Sequence, residues 1–212
     1  MLALFAHPFS SYCWKVLIAL WEKEIAFDYR SVEEPENSAR LKELWPIGKF
    51  PVLVDGGRVI AETSVIIDYL DQIAPAPAMI ADDPIEVRYM DRVFDNYVMN
   101  VMQIVVNEHI VRPDALRADG IAQAEARLDL VYDWLDQRLA GRTWAAGEVF
   151  SLADCAGAPA LFYADWVHAI PDRLTNLKDY RARVLARPSV ARAVEEARPY
   201  RSYFPLGAPD RD

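Results

Sequence analysis

Histidine and cysteine are scarce in this chain, at three and two of 212 residues. The cysteines, Cys13 and Cys155, lie far apart, so no disulfide framework is expected and a reducing, cytoplasmic setting is the simpler reading. The histidines, His7, His109 and His168, have no partners at metal-ligand spacing, so no metal is expected. No stretch approaches the ~18–20 apolar residues needed to span a bilayer. The N-terminus, Met1-Leu-Ala-Leu-Phe-Ala-His7, lacks a basic lead and reads as a first strand, not a signal peptide. Positive charge is also short. The formal net charge is −9, and residues 1–76 carry 7 basic and 11 acidic side chains against 16 and 21 in the remainder. With no basic stripe, nucleic acid and anionic membrane are poor partners. Internal repeats and low-complexity segments are absent.

What is present suits a globular chain: 53% hydrophobic and 26% charged residues, enough for one large domain or two small ones sharing a surface. Leu2–Ala6 is a short buried strand, broken by His7-Pro8-Phe9. Ser10 or Ser11 then caps a helix with Val16, Leu17, Leu20 and Trp21 at helical spacing. Residues 25–32 read as a second strand, 33–37 as a polar loop containing Pro35, and 38–45 as a short helix. Phe50-Pro-Val-Leu-Val54 and Arg58-Val-Ile60 flank Asp55-Gly-Gly57, a hairpin signal because such turns need positive φ. A helix over 63–73 follows. The order is βαβαββα, assigned to residues 1–76.

Residues 74–83, with Pro75 and Pro77, make the linker. Residues 84–212 read as all-helical. Asp83-Pro-Ile-Glu86 carries a cap, a proline at the first helical position and a glutamate at the third. One long helix should run from there to about Arg112, and another over 119–139. Ser151-Leu-Ala-Asp154 is a second capping box opening a helix that contains Pro159, and the last helices lie within 174–197, divided at Pro188.

Three segments bear chemistry. Ser10-Ser-Tyr-Cys13 stands at a strand-to-helix turn, where thioredoxin-type redox proteins carry Cys-x-x-Cys. Serine at the first position forbids a disulfide, but its hydroxyl can donate to a thiolate brought by a ligand, and the helix N-terminus favours that anion. Plain capping is the competing role for Ser10, and Cys13 suits a small buried filler. Phe50-Pro51 precedes a strand; a cis bond there would leave the Phe50 backbone free to pair with an extended peptide. Glu62-Thr63 opens a helix whose amides and hydroxyl suit a carboxylate, with Glu62 suited to an ammonium. A thiolate donor, a peptide edge and an amino-acid clamp together fit γ-glutamyl-cysteinyl-glycine, that is, glutathione.

The run from Pro8 to Leu20 resembles the first loop and helix of serine-type glutathione transferases of the theta-like and zeta-like classes. Gly48-Lys-Phe-Pro-Val-Leu-Val-Asp-Gly-Gly57 and Ala61-Glu-Thr-Ser-Val-Ile-Ile-Asp-Tyr-Leu70 are similar to that family's cis-proline and Glu-Ser segments, and Phe150-Ser-Leu-Ala-Asp154 to its helical capping box. The resemblance implies a thioredoxin-like N-terminal domain followed by an all-α one. It implies glutathione as co-substrate, contacted by Ser10, Lys49, Phe50, Pro51, Glu62 and Thr63, with Ser10 catalytic and Ser11 the competing candidate. It also implies transfer to a small hydrophobic electrophile beside His7, Phe9, Tyr12, Met99, Met102 and Gln103. A homodimer is implied too, with Tyr89, Arg92 and Val93 facing the other subunit. Thr63 stands where the family has serine, and Trp45-Pro46 where it usually has Asn-Pro. Two alternatives remain: a glutathione-dependent isomerase resembling maleylacetoacetate isomerase, against which Tyr12 replaces a cysteine of the zeta-like pattern, and a non-catalytic binding module.

Overall fold

A computed structural model of the chain describes residues 1–80 and 83–211. Two of the linker residues, 81 and 82, therefore lie outside the described residues. The first part is a four-stranded sheet with helices on both faces. Its elements are β1 (Leu2–Ala6), α1 (Ser11–Glu22), β2 (Phe27–Ser31), α2 (Pro35–Leu44), β3 (Val52–Asp55), β4 (Arg58–Ile60) and α3 (Thr63–Ile73). The sheet order is β2-β1-β3-β4, with β1 parallel to β2 and antiparallel to β3, and β3 antiparallel to β4. The order is the βαβαββα expected of a thioredoxin-like unit.

Side-chain alternation explains the layering. Leu4 pairs with Leu53, and Leu53 with Ile60, and these belong to the main core together with residues of α1 and α3. Phe5 pairs with Val52, and both pack with Leu41 of α2 in a smaller cluster. Helix α1 is buried over the whole run Cys13–Leu20, since it has the sheet on one side and the helical part on the other. Val16, Leu17 and Leu20, read as its apolar positions, are buried, and Trp21 packs half-buried against the core. Helix α2 begins at Pro35, inside the segment read as a loop, because the first helical turn needs no amide donor from that position.

The helical part comprises α4 (Pro84–Val93), α5 (Asn100–Val111), α6 (Ala118–Leu139), α7 (Leu152–Val167), α8 (Thr175–Leu185) and α9 (Pro188–Ala197), then a 3-10 segment, Arg198–Tyr203. Helices α4 and α5 form the long helix expected, but a π-helical stretch, Phe94–Met99, joins them. Asp83 caps α4 as read, while Glu86 turns instead to Arg138 and Arg142 of the α6 end. The linker is pinned by Asp71, whose carboxylate accepts from the amides of Met79 and Ile80 and from Lys23. No described helix is long and apolar enough to cross a membrane.

Helix α7 is buried from Leu152 to Trp166. Ser151 and Asp154 form the reciprocal capping box, and Asp154 also accepts from the Ala145 amide at 2.8 Å and the Tyr180 hydroxyl at 2.9 Å. Burial pushes Asp154 up to about 6, against the pull of these donors. Gly157 is the point of closest approach: a Cβ there would stand 2.7 Å from the Tyr180 hydroxyl and 3.0 Å from the Phe94 ring. Both neighbours are fixed, Tyr180 by Asp154 and Phe94 by complete burial. Gly157→Ala should therefore destabilise by about 1–3 kcal/mol, although alanine is the better helix former by ~1 kcal/mol. Urea denaturation checks this; an unchanged or raised midpoint would show that the helices can move apart freely.

Candidate functional site

The turn after β1 is held from outside. Trp14 donates its indole N–H to the Pro8 carbonyl at 2.6 Å, and Tyr163 of α7 donates to the Phe9 carbonyl at 2.9 Å. Ser10 then occupies the N-cap of α1 with extended backbone, its Oγ accepting from the Cys13 amide at 3.3 Å. Accepting that bond leaves the hydroxyl proton free to donate elsewhere. Ser11 is the first helical residue and is buried. Cys13 is fully buried with its Sγ accepting from the His7 amide, and burial pushes its thiol up to about 12. It stays protonated and inert at neutral pH.

Ser10 opens onto a cleft of about 930 Å³ between the sheet-bearing part and the long helix. Lys49, Phe50, Pro51, Glu62 and Thr63 line the same cleft. The Phe50–Pro51 bond is cis. Glu62 has φ +68°, a conformation that costs a non-glycine residue of order 1–3 kcal/mol and persists where the surroundings enforce it. It occupies the cap position of α3 without a side-chain cap bond, and Thr63 is the first helical residue, where the sequence begins the helix. The first-turn amides of α3 consequently point outward without intrahelical acceptors.

Phe9, Tyr12, Met102 and Gln103 also line the cleft; His7 and Met99 do not. His7 is turned away because its Nε2 lies 3.2 Å from Glu33 and its Nδ1 accepts from the Phe9 amide. Met99 falls on the inward side of the π-helical stretch and is buried in the core. Tyr12 donates to Asn100 of α5 at 2.7 Å, bridging the two walls, and burial holds its hydroxyl near 12, with Asp95 adding to the effect and Arg92 opposing it. Sequence reasoning missed Asn96, Asn100 and Asn107, and the C-terminal Tyr203, Phe204 and Pro205, all on the cleft wall. Val93, expected to face a second subunit, is buried in this chain's own core, whereas Tyr89 is exposed.

Behind Glu62 lies a buried charge cluster. Lys15 of α1 is fully buried and pairs with Asp91 and, at 2.8 Å, with Asp95. Ser64 of α3 accepts from Lys15 at 3.0 Å and donates to Asp91 at 2.8 Å, and Arg92 closes the set against both aspartates. Two cations face two carboxylates, so the cluster is neutral. Helices α1, α3 and α4 and the π-helical stretch, from both parts of the chain, meet there.

Comparison with known proteins places this geometry. Models of the glutathione S-transferase N-terminal and C-terminal domains match residues 4–78 and 93–188. The chain belongs to the glutathione S-transferase family. Among its relatives, FtsZ-localized protein A of Caulobacter vibrioides is 28% identical over 79% of this chain and 77% of its own length. A probable maleylacetoacetate isomerase of Vibrio cholerae is 27% identical over 93% of this chain and 97% of its own. The crystal structure of a glutathione S-transferase from Methylobacillus flagellatus with glutathione bound superposes with a TM-score of 0.81 at 28% identity, covering 91% of this chain and 98% of that one.

Lys15→Met keeps the volume but strands two buried carboxylates. The expected loss is about 3–5 kcal/mol of stability, measured by urea denaturation. A loss below ~1 kcal/mol would mean that Arg92, Ser64 and solvent suffice to hold the two carboxylates without Lys15.

Proposed function

We propose that the chain binds glutathione in this cleft and activates its thiol for attack on an electrophile. The observation that carries the reading is the convergence of Ser10, Lys49, Phe50, Pro51, Glu62 and Thr63, from three separate segments, on one cleft. The relative crystallised with glutathione supports it. In this reading the first-turn amides of α3 hold the γ-glutamyl carboxylate and Glu62 takes the neighbouring ammonium. The Phe50 backbone pairs with the extended cysteinyl unit, and Lys49 meets the glycyl carboxylate.

The thiol then lies at the N-terminus of α1. A free thiol has a pKa of about 8.5. A donated Ser10 proton and the positive helix end both favour the thiolate, lowering that value toward neutrality. The thiolate attacks the electrophile on the wall formed by α5 and the C-terminal segment.

Two further readings have relatives behind them. One is a glutathione-dependent isomerase, as the Vibrio cholerae relative is named; the other is a binding module, as the name FtsZ-localized protein A suggests for that relative. Titration of glutathione and a panel of electrophiles separates them. Binding with turnover supports transfer, isomerised product supports the second, and absence of glutathione binding leaves the module.

Ser10→Ala should raise the bound thiol's pKa by roughly 1–2 units, since one unit corresponds to about 1.4 kcal/mol, and cut the reactive fraction near neutral pH about tenfold. Loss of the cap alone costs ~1 kcal/mol of stability and leaves ionisation alone. Thiolate absorbance against pH in Ser10→Ala and Ser11→Ala decides; a shift confined to Ser11→Ala moves the role to Ser11. We further propose a homodimer built on the exposed faces of α3 and α4, where Val65 and Tyr89 stand uncovered. Light scattering at micromolar concentration should give twice the chain mass, and the monomer mass would refute it.

A further inference from the structure

The ring of His7 stands outside the cleft, yet it holds the turn that carries Ser10. That turn runs from His7 to Ser10. The Ser10 amide donates to the His7 carbonyl at 3.0 Å and closes a β-turn with Pro8 and Phe9 at its centre. The central peptide unit, between Pro8 and Phe9, is gripped at both ends. Its carbonyl accepts from the Trp14 indole at 2.6 Å, and its N–H donates to Nδ1 of His7 at 3.0 Å. Rocking of that unit would carry Ser10 with it, because Ser10 is the next residue of the turn.

The bond to Phe9 fixes where the ring keeps its proton. An amide N–H only donates, so Nδ1 must present its lone pair, and the neutral ring then carries its proton on Nε2. Nε2 lies 3.2 Å from a carboxylate oxygen of Glu33, which can accept that proton's hydrogen bond. The same oxygen accepts from the Tyr203 hydroxyl at 3.0 Å. The His7 hydrogen bond is the largest influence holding the Glu33 carboxyl below its ordinary range. Tyr200 packs edge-on to the imidazole at 4.8 Å and Tyr203 stacks on it at 6.0 Å. A swing of the ring would break these contacts together.

Resting on the reading in which Ser10 donates to the glutathione thiolate, we propose that His7 is a positioning residue for that serine. Glu33 holds the neutral ring with its proton on Nε2, and the free Nδ1 anchors the turn that aims the Ser10 hydroxyl. His7 touches neither ligand nor reacting atom and acts only through Ser10. The arrangement also ties the cap of α1 to the loop that carries Glu33 and to the C-terminal segment, whose Tyr203 lines the cleft.

Asparagine and glutamine separate the two ring nitrogens. The Asn oxygen falls near the place of Nδ1 and accepts from the amide two residues on, as in an Asx-turn, whereas the longer Gln carries its amide toward the place of Nε2. The readout is thiolate absorbance of bound glutathione against pH, which a merely structural role of His7 would leave alone. His7→Gln should raise the thiol's pKa by about half a unit or more, a fall of roughly threefold in the reactive fraction near neutral pH, while His7→Asn stays within about 0.2 units of wild type. Equal shifts in the two variants, or none in either, overturn the inference. Added to Ser10→Ala, His7→Gln should change nothing further; a full additional shift means that the ring acts on the thiol directly, and overturns it too. Nitrogen NMR of the wild-type ring at neutral pH should find the proton on Nε2 alone. A proton on Nδ1 overturns the inference even if the variants fail to fold. If glutathione does not bind, or Ser10→Ala itself leaves the ionisation unchanged, the serine reading fails and the inference falls with it.

Discussion

The ammonium of Lys15 is fully buried and has two carboxylates, Asp91 and Asp95, to meet. That constraint sets the rest of the molecule. Lys15 lies one turn inside the helix that Ser10 caps, and the aspartates lie at the join of α4 and the π-helical stretch. An apolar pair of equal volume would pack as tightly yet tolerate sliding by a turn. An ion pair flanked by the Ser64 hydroxyl does not, because sliding leaves a charge bare in a dry interior. The cluster therefore fixes how far the cap of α1 stands from the long helix, which is the width of the cleft.

The second constraint acts on the turn itself. Pro8 and Phe9 offer their carbonyls to Trp14 and Tyr163, and both donors are buried aromatic side chains. The turn is thus clamped by its own helix and by α7, which the Ser151–Asp154 box anchors in the core. Ser10 gains a fixed position from side chains outside its own turn. Tyr163 serves twice, since its ring also lines the cleft.

Much of this was legible in the chain alone, where a local rule has one solution. Asp55-Gly-Gly57 could only be a tight turn, and Gly56 adopts φ +57° there. Ser151 with Asp154 announced a helix start, and Pro188 a helix division, because the chemistry of helix ends is local. What escaped depends on packing between distant segments. Periodicity ran through residues 84–111 without showing the π-helical stretch, which adds a residue to a turn and carries Met99 into the core. His7 stood next to the serine turn in sequence, yet Glu33, beyond the neighbouring strand, draws its ring aside. Tyr203, Phe204 and Pro205 carried no signal, since their place on the cleft arises only when the chain's end folds back over the first turn.

The choice between catalyst and binding module turns on what a vestigial site has reason to keep. Glu62 holds a positive φ with its carboxylate exposed and no cap bond to reward the conformation. Glycine would fill that position with less strain, and serine or asparagine would cap α3 better. The fold therefore gains nothing from glutamate at this point. Ser10 is different, because capping gives it a purely structural reason to stay. On the proposed reading, the glutamate at the start of α3, with its strained backbone, is thus the stronger argument for ligand binding, and the serine at the start of α1 is where catalysis has to be measured.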